Sequence, residues 1–231
     1  MDNRKHRILF IGNSHTYFND MPNALFEPIA KNAGYDVEVE RVVKGGWTLA
    51  QHLDINSATG ADVEQMLTEG KFDYVVLQEQ SVRPVVETEL FFESVREFVK
   101  KIRDVGATPV LYSTWGRKTG SAKLAEIGHT SESMTYALAR AYRDIGAELD
   151  VAVAHAGLAF LGVGEGIELY NPDKLHASLE GSYLAAVCLF LTIFGLVENI
   201  YDCGVCCAEQ LIKSAKRAVF DTSDFSIELN K

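Results

Sequence analysis

Along this chain, apolar runs of strand length alternate with longer segments of helical period. That alternation restricts the fold more than any other feature. Runs at residues 7–11, 35–43, 73–77, 109–113 and 149–154 read as strands. Several are continuously apolar, as expected of parallel strands buried on both faces. Helical periods fill the intervals at residues 62–69, 88–104 and 133–146, and two more follow at 179–194 and 208–219. Another helix is expected from about residue 21 to residue 34, capped by Asn19 or Asp20 and kinked or broken early at Pro28. Parallel strands need long crossovers, which are almost always right-handed. The expected architecture is therefore α/β: a three-layer α/β/α sandwich, flavodoxin-like, with roughly five parallel strands. A length of 231 residues suits one such domain, spanning 1–231.

Lys and Arg number 22 against 32 Asp and Glu, a formal charge of −10. That balance disfavours nucleic acid and anionic membrane surfaces as partners, though it leaves room for a local basic pocket. The apolar run at 8–11 is too short for a signal-peptide core. A cytoplasmic location is expected, or a secreted or periplasmic one if a leader was removed. The most apolar stretch, 183–197, falls short of the roughly 20 residues that span a bilayer and reads as a buried helix. Cys188, Cys203, Cys206 and Cys207 contain one CxxCC without a second pair. They read as free or buried thiols before a disulfide or a zinc site.

Open parallel sheets place their chemistry beyond the carboxyl ends of the strands. There the first strand releases Gly12-Asn13-Ser14-His15-Thr16, the second Gly45-Gly46-Trp47-Thr48, and the third Gln78-Glu79-Gln80-Ser81. Far downstream, Asp173 and His176 stand three apart and can share one loop. Ser14 is either a turn or cap serine or a nucleophile beside free backbone N–H groups. Gln80 could donate its amide toward developing negative charge. Glu79 could instead hold the loop, or pair with Glu165 or Glu168 as glycosidase carboxylates do, although no spacing supports that pair. His129, His155 and His176 lack metal-ligand spacing, and the glycine patches match no nucleotide loop. Trp47, Tyr112 and Trp115, with Phe160 near the same rim, are candidate substrate platforms, with core packing the alternative for the two tryptophans.

Taken together, Gly12-Asn13-Ser14, Gly46 within GGWT, Gln80 and the Asp173/His176 pair resemble the SGNH (GDSL-like) hydrolases over roughly residues 6–220. The wording ILFIGNSHTY…LQEQS…HAS is similar to a less-characterised bacterial branch that includes carbohydrate esterases. The resemblance implies Ser14 as nucleophile and His176 as base, with Asp173 orienting it. It implies an oxyanion hole from the Ser14 and Gly46 N–H groups (Gly45 in the alternative register) and the Gln80 amide. The family's third block usually reads Gly-x-Asn-Asp, so Gln78-Glu79-Gln80-Ser81 departs at three of four positions. Ala177 stands where proline commonly follows the histidine. No cofactor or metal is implied. The expected partner is a small-molecule ester, an acetylated saccharide by the branch resembled. The expected activity is esterase action through an acyl-enzyme on O-acetyl groups of carbohydrates. A lysophospholipase or thioesterase is the alternative within the family, and a non-catalytic binding protein is the alternative outside it.

Overall fold

The computed structural model describes residues 4–221. Its five strands are β1 (His6–Gly12), β2 (Val37–Val43), β3 (Tyr74–Leu77), β4 (Thr108–Ser113) and β5 (Ala152–His155). All neighbours pair in parallel, in the order β2-β1-β3-β4-β5. The order reverses direction at β1, so the carboxyl ends of β1, β2 and β3 surround one crevice.

The period of two in β1 builds both cores. Ile8 and Phe10 face one layer, while Leu9 and Ile11 face the other. The second layer is covered by α3 (Leu49–Leu53), α4 (Gly60–Glu69), α6 (Thr88–Asp104) and α8 (Ser131–Leu149), with short α5 (Arg83–Val86) and α7 (Ala122–Glu126) near the strand ends. The first layer holds α2 (Glu27–Asn32), α9 (Ala156–Gly162), α10 (Leu179–Phe194) and α11 (Ala208–Phe220). Every residue of α10 from Gly181 to Leu191 is buried, which explains why no polar face is visible in its sequence. Among the described residues no helix is long and apolar enough to cross a membrane.

The first crossover is broken next to Pro28, as one of the two expectations had it, and is more irregular before that point. A one-turn helix, α1 (Ser14–Tyr17), leads into a 3₁₀ turn at Phe18–Asp20 and a π-helix at Met21–Phe26 before α2 begins. Asn19 and Asp20 both take positive φ, 54° and 52°, and neither caps a helix with its side chain. Pro28 sits at the start of α2, directly after the change from π-helix to α-helix. The fifth strand begins at Ala152 rather than at residue 149, because α8 runs through Leu149 and stops on left-handed Asp150. The four cysteines are all free thiols. Among the described residues no three His, Cys, Asp or Glu side chains gather to hold a metal ion, so His129, His155 and His176 do not converge.

Candidate active site

Ser14 begins α1 directly past β1, with Asn13 as the N-cap accepting from the His15 N–H. The turn is braced from below by Gln78. Its Oε1 accepts from the Asn13 N–H at 2.9 Å and from the Thr16 hydroxyl at 2.9 Å, while its amide donates to the Glu79 carbonyl. Gln78 is fully buried and does not line the cavity that Ser14 and Gln80 share. Its space exists because residue 12 is glycine: a Cβ there would meet Gln78 Oε1 at 2.7 Å.

The Gly45-Gly46 loop is tied on two sides. Asn13 Nδ2 donates to the Trp47 carbonyl at 2.9 Å, and the Leu49 N–H donates to the Glu79 carboxylate at 3.2 Å. Glu79 also accepts from the Gln80 N–H at 2.6 Å, and burial pushes its pKa up to about 7. It is thus a loop anchor with no exposed surface, and its position gives the carboxylate-pair alternative no support. Gly46 takes φ +71°, a conformation that favours glycine.

Gln80 Oε1 accepts from the N–H groups of Val82 and Arg83, at 2.9 and 3.2 Å. Two N–H donors fix which end of the amide is oxygen, leaving its NH₂ for other partners. Ser14, Gly45, Gly46, Gln80 and His176 all line one cavity of about 370 Å³.

His176 Nδ1 and Asp173 Oδ2 are 2.6 Å apart. Asp173 Oδ1 also accepts from the backbone N–H groups of Leu175 and His176, each at 2.9 Å. Burial works against the Asp173 carboxylate, but the His176 ring and these two amides hold its pKa below the usual value. Nε2 of His176 is buried without a partner. The Ser14 hydroxyl shares the cavity with it, without a hydrogen bond between them. Catalytic hydrogen bonds commonly tighten only once substrate is bound.

The loop carrying His176 is held by residues that the sequence did not single out for this. Asn19 Nδ2 donates to the carbonyls of Ala177 and Ser178 and to Ser182 Oγ, at 3.1, 3.0 and 2.8 Å. It thereby joins the segment that follows Ser14 to the start of α10. Phe18 stacks on the His176 ring. Asn and Asp tolerate positive φ, and the Phe18-Asn19-Asp20 turn was legible only to that extent. His15 is buried beside the site, and burial, with His176 and Arg117 nearby, lowers its pKa to about 3. It stays neutral at working pH.

The expected substrate platforms are placed differently. Tyr112 is fully buried and donates to the His15 carbonyl at 3.3 Å. Trp115 is buried against Phe160, centroids 4.1 Å apart, and donates to the Leu175 carbonyl at 3.0 Å. Both are apolar strand-end residues that point into the first layer, so they support the site from beneath. Trp47 is half-buried under the Lys44 ammonium, 3.9 Å from its ring centre, and does not line the cavity. The aromatic rings that do line it are those of Tyr17 and Phe18, with the imidazoles of His15 and His176.

A protein from Slackia heliotrinireducens assigned to the SGNH hydrolases superposes with a TM-score of 0.75 at 33% sequence identity, over 82% of this chain and 100% of that one. The chain belongs to the SGNH hydrolase family. It is accordingly an enzyme of the GDSL-type serine esterase class. An SGNH fold is also shared with a DUF4886 family protein from Bacteroides uniformis, at TM-score 0.78 and 17% identity over 96% of each chain. An acetyl xylan esterase from Geobacillus stearothermophilus matches at TM-score 0.63 and 15% identity, over 86% of this chain and 100% of that one. No family model matches the sequence. No curated protein matches it either.

Proposed function

We propose that this SGNH hydrolase cleaves small acyl esters through a Ser14–His176–Asp173 triad, with O-acetyl groups on carbohydrates as its substrates. The observation that carries the reading is the His176 ring. One nitrogen is bound to Asp173, and the other is unpartnered in the cavity that Ser14 lines.

In this reading His176 Nε2 takes the Ser14 proton as Oγ attacks the ester carbonyl. Asp173 keeps the other nitrogen protonated and offsets the imidazolium charge. The oxyanion faces the N–H groups of Ser14 and Gly46 and the Gln80 amide. His176 then gives its proton to the leaving alcohol, and an acyl group stays on Ser14. Water, deprotonated by His176, releases the acid and restores the serine. The groups that position this chemistry act through others: Gln78 under the turn, Glu79 under the glycine loop and Asn19 across to α10.

A small acyl group suits a cavity of about 370 Å³, near the lower end of the range for small-molecule sites. The similarity to an acetyl xylan esterase favours acetate over longer chains. The test compares 4-nitrophenyl acetate, butyrate and octanoate, together with acetyl release from acetylated xylo-oligosaccharides. An acetate pocket loses kcat/KM steeply as methylenes are added. A rise through eight carbons would replace the sugar-ester reading by a lysophospholipase or thioesterase. Turnover that persists in Ser14→Ala would defeat the triad, and no turnover of any ester would leave a binding protein.

A further inference from the structure

The cavity contains a cation that the ester chemistry leaves unused. Arg117 follows β4 and lines the same cavity as Ser14 and His176. Since β4 stands two places from β1, on the side away from β2, its guanidinium enters from the flank opposite the Gly46 loop. It is half-buried, and burial pushes its pKa below the usual guanidinium value. Its protein partner is the hydroxyl of Ser81, at a long 3.4 Å from one terminal nitrogen. Nε is buried without any partner.

Carboxylates do not neutralise it. The two whose fields reach it are Asp173 and Glu126, and both are engaged elsewhere, with His176 and with Lys123. Other cations around the rim are occupied. Lys118 is paired with Glu168, Lys174 donates to the Gly120 carbonyl, and Lys44 lies over Trp47. A guanidinium carries five N–H donors in a planar fork, and a donor left buried and unpaired, as Nε is here, is costly. Such a group inside a reaction cavity is arranged for an anion that arrives with the substrate.

We infer that Arg117, with the Ser81 hydroxyl, forms a subsite for a carboxylate or phosphate group of the substrate, so that the enzyme acts on an anionic ester. Resting on the acetyl-sugar reading above, the substrate class becomes an O-acetylated acidic saccharide. The neutral part of the sugar lies between Tyr17 and the triad, and the anion lies toward β4. In a chain of charge −10, this local cation also selects among substrates, since the surrounding field repels anions that do not reach the fork.

The test uses matched pairs that differ only in charge. An O-acetylated methyl glucuronoside is compared with its uncharged glucuronamide counterpart for kcat/KM. Methyl glucuronoside, methyl glucuronamide and glucose 6-phosphate are compared for binding to the wild-type enzyme by calorimetry. Wild type should favour the acid over the amide by about tenfold to a hundredfold, the size of a charge-assisted hydrogen bond in a partly dry site. Arg117→Met should bring that ratio to about one, and Arg117→Lys should keep part of it. Tighter binding of the phosphate than the carboxylate would support the anion subsite and name phosphate as its group. Equal handling of acid and amide by the wild type overturns the inference, even if aryl acetates are cleaved. Selective anion binding without hydrolysis of any ester would instead uphold the subsite and defeat the esterase reading. The binding arm requires no variant, so misfolding of an Arg117 substitution cannot mask the result.

Discussion

The phenyl ring of Phe18 lies flat on the imidazole of His176, with centroids 4.2 Å apart and planes 4° from parallel. The stack fixes the ring plane that the hydrogen bond to Asp173 alone would leave free to rock. A π face also favours an imidazolium, the form that the proposed mechanism gives His176, by about 1 kcal/mol. Phe18→Leu should therefore lower kcat about fivefold while KM changes less, and Phe18→Tyr should restore most of it. A fall in KM-dependent binding alone, with kcat intact, would make Phe18 merely a wall of the cavity. Initial rates on 4-nitrophenyl acetate give both parameters.

Gln80 should contribute to the oxyanion hole through its NH₂ group, because Val82 and Arg83 hold its oxygen. Gln80→Ala is expected to lower kcat by about 10²–10³, the cost of one such donor. Gln80→Glu should be at least as damaging, since it keeps the length but substitutes a negative acceptor. An unchanged kcat in Gln80→Ala would remove it from the mechanism.

Glu79 makes stability depend on pH with a defined sign. Its carboxyl titrates near 7 when folded, against 4.5 as a free group, because burial disfavours the charged form. The folded protein therefore binds more protons than the unfolded chain between those values. Stability from this group is fullest below pH 4.5 and falls as pH rises to about 7, by on the order of 3 kcal/mol. Denaturant titrations at pH 5, 6, 7 and 8 should show the wild type losing stability relative to Glu79→Gln as pH rises; the difference isolates this group from buried His15, His52 and His155, whose lowered pKa values act in the opposite direction. The same variant should retain far more activity than His176→Ala. An equal loss would return Glu79 to the chemistry.

Gly12 should tolerate no side chain. Alanine there places Cβ 2.7 Å from both Gln78 Oε1 and Thr16 Oγ1, two buried groups that are hydrogen-bonded to each other. Overpacking of this kind costs about 1–3 kcal/mol. In a chain of this size that lowers Tm by roughly 2–4 °C per kcal/mol. Because Gln78 braces the turn that carries Ser14, Gly12→Ala should lose kcat as well. A thermal melt and one rate measurement check both, and an unperturbed Tm would contradict the packing.

Much of the fold was legible from local pattern. Helix α6 spans Thr88–Asp104 and α10 spans Leu179–Phe194, each at the bounds its periodicity predicts. Their limits are set by nearby residues: a Gly-rich or polar stop, and Ser178 as a cap for α10. The turn at Ser14 and the pairing of Asp173 with His176 were legible for the same reason, since a turn after a strand and a three-residue spacing are local features, whereas the roles proposed for them came with the family resemblance. What lay beyond the sequence depends on which distant atoms meet. Asn19 reads as a helix cap, yet its amide crosses to Ser182, 163 residues away. Tyr112 reads as a platform and Trp115 as platform or core, and only the direction of β4 against the first layer buries them both. Gln78 reads as an intruder in the family's glycine block. It is accommodated because Gly12, on the neighbouring strand, leaves it the volume of a side chain. Periodicity, caps and short motifs are properties of neighbours along the chain. Pairing a buried polar group, or leaving Arg117 unpaired in a cavity, is a property of neighbours in space, and the sequence determines it only through the completed packing of the whole domain.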